Sequence, residues 1–162
     1  MVDLEVLRKL CRLMTTANSG DHFHALGLRF TRIEKDRIQA ELPYSEDIVG
    51  NPATGVIHGG ALTALLDTCC GFAAVVALDE LALCPTMDLR IDYMGQAQPG
   101  KSVFAEAEAY RVSRHVIFCR GVAFQEDRDR PIAHCVANFS RLDPQVAAEM
   151  RRQFAPILAG KE

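Results

Sequence analysis

Residues 51–74, NPATGVIHGGALTALLDTCCGFAA, place a His-Gly-Gly triplet immediately before a long apolar segment that contains one acid, Asp67. Glycines at a helix start leave backbone N–H groups uncovered at the positive end of the helix dipole. Such groups suit an anion or a developing oxyanion. A carboxylate among apolar side chains is costly to bury unless it has a partner or a function. Gly59 and Asp67 are therefore the first candidate functional residues.

The apolar segment predicts a central helix over residues 58–79. A helix that is hydrophobic on nearly every face has to be buried on every side, so other elements must wrap around it. The apolar residues that cover these faces are Ala61, Leu62, Ala64, Leu65, Leu66, Cys69, Cys70, Phe72, Ala73, Val75, Val76 and Leu78.

The flanking sequence supplies strands and two terminal helices. Strand-like patterns cover residues 25–34, 37–43, 85–94, 101–113, 115–126 and 131–141. Helical patterns cover residues 1–16 and 144–158, and residues 44–57 are expected to form a loop. An antiparallel sheet wrapped around one central helix satisfies the need for burial. We therefore expect a single α+β domain over residues 1–162 with the hotdog fold.

Charge and hydropathy exclude two classes of partner. The 162 residues carry a formal net charge of −3 with acids and bases interspersed, so nucleic acid is not an expected partner. The longest apolar run, 71–78, is too short to span a bilayer, and the N-terminal residues lack the features of a signal peptide. We expect no membrane partner.

The six cysteines do not have the spacing of a zinc site, so no metal site is expected. Cys69 and Cys70 are adjacent within the predicted helix, where they are interpreted as packing residues. Reduced thiols without signs of export indicate a cytoplasmic protein.

The motifs around the central helix resemble one enzyme family. They combine an Asn-Gly-His-Gly-Gly pattern, an acid nine residues after the histidine, and a later Thr-x-Asp-Leu-x-Ile-x-Tyr strand. The matching residues are Asn51, Gly55, His58, Gly59, Gly60, Asp67, Thr86, Asp88, Leu89, Ile91 and Tyr93. The combination resembles the hotdog-fold acyl-CoA thioesterases of the phenylacetic-acid-degradation branch, over residues 22–141.

The resemblance implies a role for each matched polar residue. The Gly59 N–H would polarise the thioester carbonyl, and Asp67 would act as general base or as nucleophile. Thr86 would orient the attacking water or the Asp67 carboxylate. Asn51 would lie near the reacting carbonyl, although it stands seven residues before His58, where the family often has six.

His58 is a further candidate, either as a residue that holds the loop through a hydrogen bond or as a direct contact to substrate. Nine residues separate it from Asp67, which is about 180° around a helix at about 100° per residue. The two side chains therefore point apart within one chain.

Helix geometry also predicts an oligomer. Gly59 and Asp67 are eight residues apart, about 12 Å along a helix at about 1.5 Å per residue. One thioester must meet both its attacker and its N–H donor within about 3–3.5 Å. Two helices from two subunits can supply both groups, so we expect at least a dimer with two composite sites. The resemblance favours a dimer of dimers.

The expected reaction is hydrolysis of acyl-CoA to a carboxylic acid and CoA, with CoA present only as part of the substrate and no further cofactor. Gly60 and Leu66 are expected to contact the substrate, and Arg111, Arg114 and His115 to contact its phosphates. The sequence leaves open whether the acyl group is aliphatic or aryl.

Two other functions fit the same fold. An acyl-CoA or acyl-carrier-protein dehydratase would use His58 with Asp67, but the sequence offers no other well-placed Asp/His pair. A non-catalytic acyl-CoA binding protein would gain nothing evident from a buried carboxylate.

Overall fold

The computed structural model describes residues 4–16, 21–78 and 82–158. The helices are α1 (Leu4–Thr16), α2 (His22–Ala25), α3 (Gly59–Val76) and α4 (Pro144–Leu158). The strands are β1 (Arg29–Ile33), β2 (Ile38–Leu42), β3 (Val49–Asn51), β4 (Val56–Ile57), β5 (Thr86–Tyr93), β6 (Val103–Val112), β7 (Val116–Phe124) and β8 (Ala133–Ser140).

Six strands form one antiparallel sheet in the order β1-β2-β6-β7-β8-β5, and α3 packs against its inner face. Alternate residues of β8 point inward and are buried, as a pleated strand requires: Ala133, Cys135, Ala137 and Phe139. This arrangement confirms the predicted α+β hotdog fold, with its central helix and wrapped sheet.

Small side chains on the inner face let the helix approach the sheet closely. The Cys69 thiol lies 3.4 Å from the carbonyl oxygens of both Ile38 and Ala105. A Cβ at Gly121 would lie 3.1 Å from the Cys70 sulfur, which is tighter than an ordinary contact, so α3 lies close to β7 there. Burial of Leu65 and Leu66, both fully inaccessible, completes the core between helix and sheet.

The expectation that α3 is buried on every side is wrong for the single chain. One stripe at helical spacing is only half-buried: Thr63, Ala64, Asp67, Thr68, Gly71 and Phe72. By length and composition, α3 is the one helix among the described residues that could cross a membrane. Its place against the sheet accounts for most of that apolar composition, and the half-buried stripe leaves one face for another contact.

Three predicted boundaries differ from the structure. The strand expected over residues 25–34 begins only at Arg29, because Asp21 accepts a hydrogen bond from the His24 N–H at 2.7 Å and caps the short α2. The loop expected over residues 44–57 contains a 3₁₀ turn (Glu46–Ile48) and the β3–β4 hairpin. The central helix ends at Val76, and the predicted positions 1–3 and 79 lie outside the described residues.

Candidate active site

The first turn of α3 is organised by His58. Its backbone is extended, and its Nδ1 accepts a hydrogen bond from the Gly60 N–H at 2.9 Å, as a helix N-cap does. The His58 N–H donates to the Ile48 carbonyl at 2.8 Å, and its carbonyl accepts from the Ala61 N–H at 3.0 Å. Because Nδ1 is an acceptor, the neutral imidazole carries its proton on Nε2. The His58 residue is exposed.

These bonds leave the Gly59 N–H unused. Across residues 4–16, 21–78 and 82–158, no group accepts a hydrogen bond from the Gly59 N–H. Gly60 differs, since its N–H is already bound by His58. The helix therefore presents the free Gly59 N–H at its positive end, the position that suits a carbonyl oxygen gaining negative charge.

Two side chains bind the carbonyl of the same glycine. The Tyr93 hydroxyl, at the end of β5, donates to the Gly59 oxygen at 2.8 Å. The Thr63 hydroxyl, one helical turn along, donates to the same oxygen at 3.1 Å. The sequence motif includes Tyr93, but sequence reasoning gave no role to either residue.

Asp67 and Thr86 meet at a second point on α3. The Thr86 hydroxyl donates to Asp67 Oδ1 at 2.9 Å, and the Asp67 side chain is half-buried. A register shift between Thr86 and Asp88, opposite Phe139 and Asn138 of β8, places an extra residue, Met87, at this point of β5. Such bulges redirect neighbouring side chains and occur often beside active sites.

The donor and the acid lie apart within one chain. Gly59 is the first residue of α3 and Asp67 the ninth, so the observed helix keeps the separation of about 12 Å derived from its rise. Tyr93, which binds the Gly59 carbonyl, and Thr86, which binds Asp67, are the two end residues of β5. One reacting carbonyl cannot contact both groups of the same chain.

Asn51 holds a turn. Its Oδ1 accepts a hydrogen bond from the Ala53 N–H at 3.1 Å, and its carbonyl accepts from the Gly55 N–H at 2.8 Å. The turn connects β3 to β4, and β4 leads directly into His58. The predicted contact between Asn51 and the reacting carbonyl stays a prediction.

The predicted phosphate-binding residues lie at the Thr86 end of the sheet. Arg111, Arg114 and His115 are all exposed at the β6–β7 hairpin. Arg141 comes immediately after the end of β8 that pairs with Thr86, and its N–H donates to the His115 carbonyl at 2.8 Å. Their contact with phosphate stays a prediction.

The predicted substrate contacts at Leu66 and Gly60 differ in accessibility. Leu66 is fully buried in the core, while Gly60 is exposed at the helix start. In the single chain, Leu66 therefore offers no surface to a ligand.

The cysteines are free thiols at all six positions. Burial raises the pKa of Cys119 to about 12 and that of Cys84 to about 12, so both thiols are protonated at neutral pH. The thiolate, the nucleophilic form, is therefore scarce at these two residues. Among the described residues, no group of three or more His, Cys, Asp or Glu side chains could hold a metal ion.

A groove of about 420 Å³ lies on the outer face of the sheet, away from α3. Its buried carboxylate, Glu106, is bound by Arg128 at 2.6 Å and Arg37 at 3.2 Å. This charge network is satisfied within the chain, and the groove contains neither Gly59 nor Asp67.

Comparison with known proteins identifies the family. The profile of the thioesterase superfamily matches residues 54–132. The medium/long-chain acyl-CoA thioesterase YigI of Salmonella typhimurium is 30% identical over 117 residues, which are 64% of this chain and 75% of that protein.

Solved structures agree at the level of the fold. A crystal structure of a Pseudomonas aeruginosa protein is 45% identical, with a TM-score of 0.73, over 85% of this chain and 99% of its own. The phenylacetic acid degradation protein PaaI of Thermus thermophilus is 23% identical, with a TM-score of 0.64, over 74% and 97% respectively. The chain belongs to the thioesterase superfamily, as its motifs predicted, and it is a thioester hydrolase.

Gly50→Ala tests how closely the site depends on the β3–β4 hairpin. A Cβ at Gly50 would lie 2.8 Å from the Cα of His58, so the backbone before Gly59 has to move. We expect a loss of about tenfold or more in kcat for thioester hydrolysis, because small displacements of a positioned group are costly.

The matched control is Gly95→Ala, whose Cβ would meet nothing closer than 3.8 Å. It should retain the wild-type rate. A Gly50→Ala protein with an unchanged kcat would show that His58 and Gly59 do not need this close packing.

Proposed function

We propose that the protein hydrolyses acyl-CoA to a carboxylic acid and CoA, with Gly59 of one subunit and Asp67 of another at each site. The observation that carries this proposal is the unpaired N–H of Gly59 at the start of α3, about 12 Å from the half-buried Asp67. An oxyanion donor and a base are the two groups that thioester hydrolysis requires.

The proposed chemistry uses two free atoms, Oδ2 of Asp67 and the backbone N–H of Gly59. Thr86 occupies Asp67 Oδ1, and no described residue donates to Oδ2. Oδ2 would take a proton from water as the water oxygen attacks the thioester carbon, and the Gly59 N–H would bind the resulting oxyanion. Collapse of the tetrahedral intermediate expels the CoA thiolate, which receives the proton from Asp67.

A second route uses the same residues. Oδ2 would attack the carbonyl carbon directly and expel the thiolate, and water would then cleave the resulting anhydride. Both routes need an ionised Asp67 and the Gly59 donor. The hydrogen bond from Thr86 fixes the carboxylate orientation in either case.

A dimer is the minimum assembly that this chemistry requires. The edge strand β5 pairs with β8 on one side, and no described strand pairs with its other side. Long open edges favour pairing with another chain. Met87 and Tyr93 on this strand are 61% and 51% exposed, and the stripe of α3 that includes Asp67 is half-buried. A second copy docked here would cover these surfaces and could bring its Gly59 turn to Asp67.

The acyl group is proposed to be apolar and of medium or greater length. The relative from Salmonella typhimurium is named for medium- and long-chain acyl-CoA. Exposed Leu83, Met87 and Met94 flank or lie on β5 and offer apolar surface near the proposed subunit contact. Arg111, Arg114 and His115 are proposed to bind the phosphates of CoA, in a cytoplasmic enzyme whose free thiols suit a reducing compartment.

A dehydratase reaction is less compatible with His58. Its Nδ1 is used as the helix cap, so the neutral ring has a donor, Nε2–H, rather than a free base directed outward. Release of free thiol from acyl-CoA, compared with loss of water from a hydroxyacyl thioester, separates the two activities in one assay.

Asp67→Asn should lower kcat by about 10²-fold or more, because the amide has no basic oxygen to accept the proton. Its size is unchanged, so binding of a non-hydrolysable acyl-CoA analogue should stay within about twofold. A thiol reagent measures turnover, and calorimetry measures binding. The matched control is Asp36→Asn, at an exposed turn position, which should behave as wild type. Wild-type turnover in Asp67→Asn would refute the assignment.

Gly59→Pro removes the proposed oxyanion donor and puts the ring Cδ in the place of its hydrogen. Proline is tolerated at the first position of a helix, and the extended His58 before it suits proline. We expect kcat to fall by about 10²–10³-fold, the usual cost of losing one such donor. Gly59→Ala is the control, since it keeps the N–H and its Cβ would lie 3.5 Å from Tyr93, an ordinary contact. Equal rates for the two variants would contradict the donor role.

A further inference from the structure

Two side-chain hydroxyls converge on one backbone carbonyl at the start of α3. The oxygen of Gly59 lies 2.8 Å from the Tyr93 hydroxyl and 3.1 Å from the Thr63 hydroxyl. The two hydroxyl oxygens are themselves 2.8 Å apart. The three oxygens form a closed triangle, which we call the carbonyl clamp.

Proton counting shows that the two hydroxyls are partly redundant. Each hydroxyl carries one proton, so two protons serve three short oxygen contacts. Whichever hydroxyl donates to its neighbour, the other still donates to the Gly59 carbonyl. The Thr63 bond is the common contact to a carbonyl four residues back, whereas Tyr93 reaches across from β5 and ties the helix start to the sheet.

The clamp fixes a peptide group that is also held at its other end. The Gly59 carbonyl and the Gly60 N–H belong to one planar peptide. The N–H is bound by His58 Nδ1 at 2.9 Å, and the carbonyl is bound by the clamp. Glycine has the greatest backbone freedom of any residue. Fixing this peptide therefore limits how the adjacent Gly59 N–H can rotate.

We propose that Tyr93 and Thr63 are positioning residues for the Gly59 N–H, holding it in the direction that an oxyanion needs. Neither hydroxyl has to touch the substrate. The inference rests on the proposed function, because it assigns the two residues to the oxyanion donor of that reaction.

Isosteric variants remove each hydroxyl with little change in packing. Tyr93→Phe and Thr63→Val should each lower kcat about threefold, because the remaining hydroxyl still binds the carbonyl. The double variant should lose about 30-fold or more, exceeding the product of the single effects as residues sharing one partner do. KM for acyl-CoA should stay within about twofold, since the loss concerns the transition state. Thr63→Ser keeps the hydroxyl and should retain the wild-type rate.

The decisive readout is the effect of Tyr93→Phe when the donor is already gone. If Tyr93 acts through the Gly59 N–H, adding Tyr93→Phe to Gly59→Pro should leave the residual kcat unchanged. A further threefold loss in that background would show an independent role and overturn the proposal. A double variant of Tyr93→Phe and Thr63→Val with wild-type kcat would also overturn it.

Failure of this inference is distinguishable from failure of the proposed function. Wild-type turnover in Asp67→Asn and Gly59→Pro would refute the proposed reaction itself. If those two variants are inactive and the double hydroxyl variant is fully active, only the positioning role is refuted. Thermal unfolding of each variant identifies any loss that arises from unfolded protein.

Discussion

One unpaired backbone N–H, at Gly59, is the constraint around which the site is built. His58 binds the next N–H along, Ile48 and Ala61 satisfy the backbone of His58, and two hydroxyls bind the Gly59 carbonyl. Because the groups next to it are bound in this way, the Gly59 N–H keeps a fixed direction, which suits a reaction in which charge develops on a single oxygen.

The second constraint is the distance along the helix between this donor and the carboxylate. A straight α-helix fixes that distance at about 12 Å, and no side-chain rotation of Asp67 closes it. The single chain, which lacks a complete site, also has a half-buried stripe on α3 and an open edge at β5. In the proposed dimer, one contact therefore covers exposed apolar surface and completes the chemistry.

The central helix and the strands around it were predictable because their hydrophobic patterns are long and regular. Gly59 and Asp67 were predictable because a glycine pair and a lone acid are unusual in such a helix. The short α2 was missed, since it depends on one cap, Asp21. Thr63 and Tyr93 are 30 residues apart, and their contact depends on how β5 is placed against α3, which no local pattern encodes.

The half-buried face of α3 could not be predicted from composition either. Composition correctly indicates that the helix avoids water, but it does not say whether the cover comes from the same chain or another. The close approach of the Gly50 backbone to His58 likewise depends on how the β3–β4 hairpin folds, which no local sequence pattern encodes.

The most direct test of the account mixes two inactive chains. Asp67→Asn and Gly59→Pro proteins, unfolded together in equal amounts and refolded, form mixed dimers in which one of the two composite sites has both residues intact. Random pairing predicts recovery of about one quarter of the wild-type activity per chain. Mixed dimers that form, as differently tagged chains can show, yet stay as inactive as either parent would contradict a site shared between subunits.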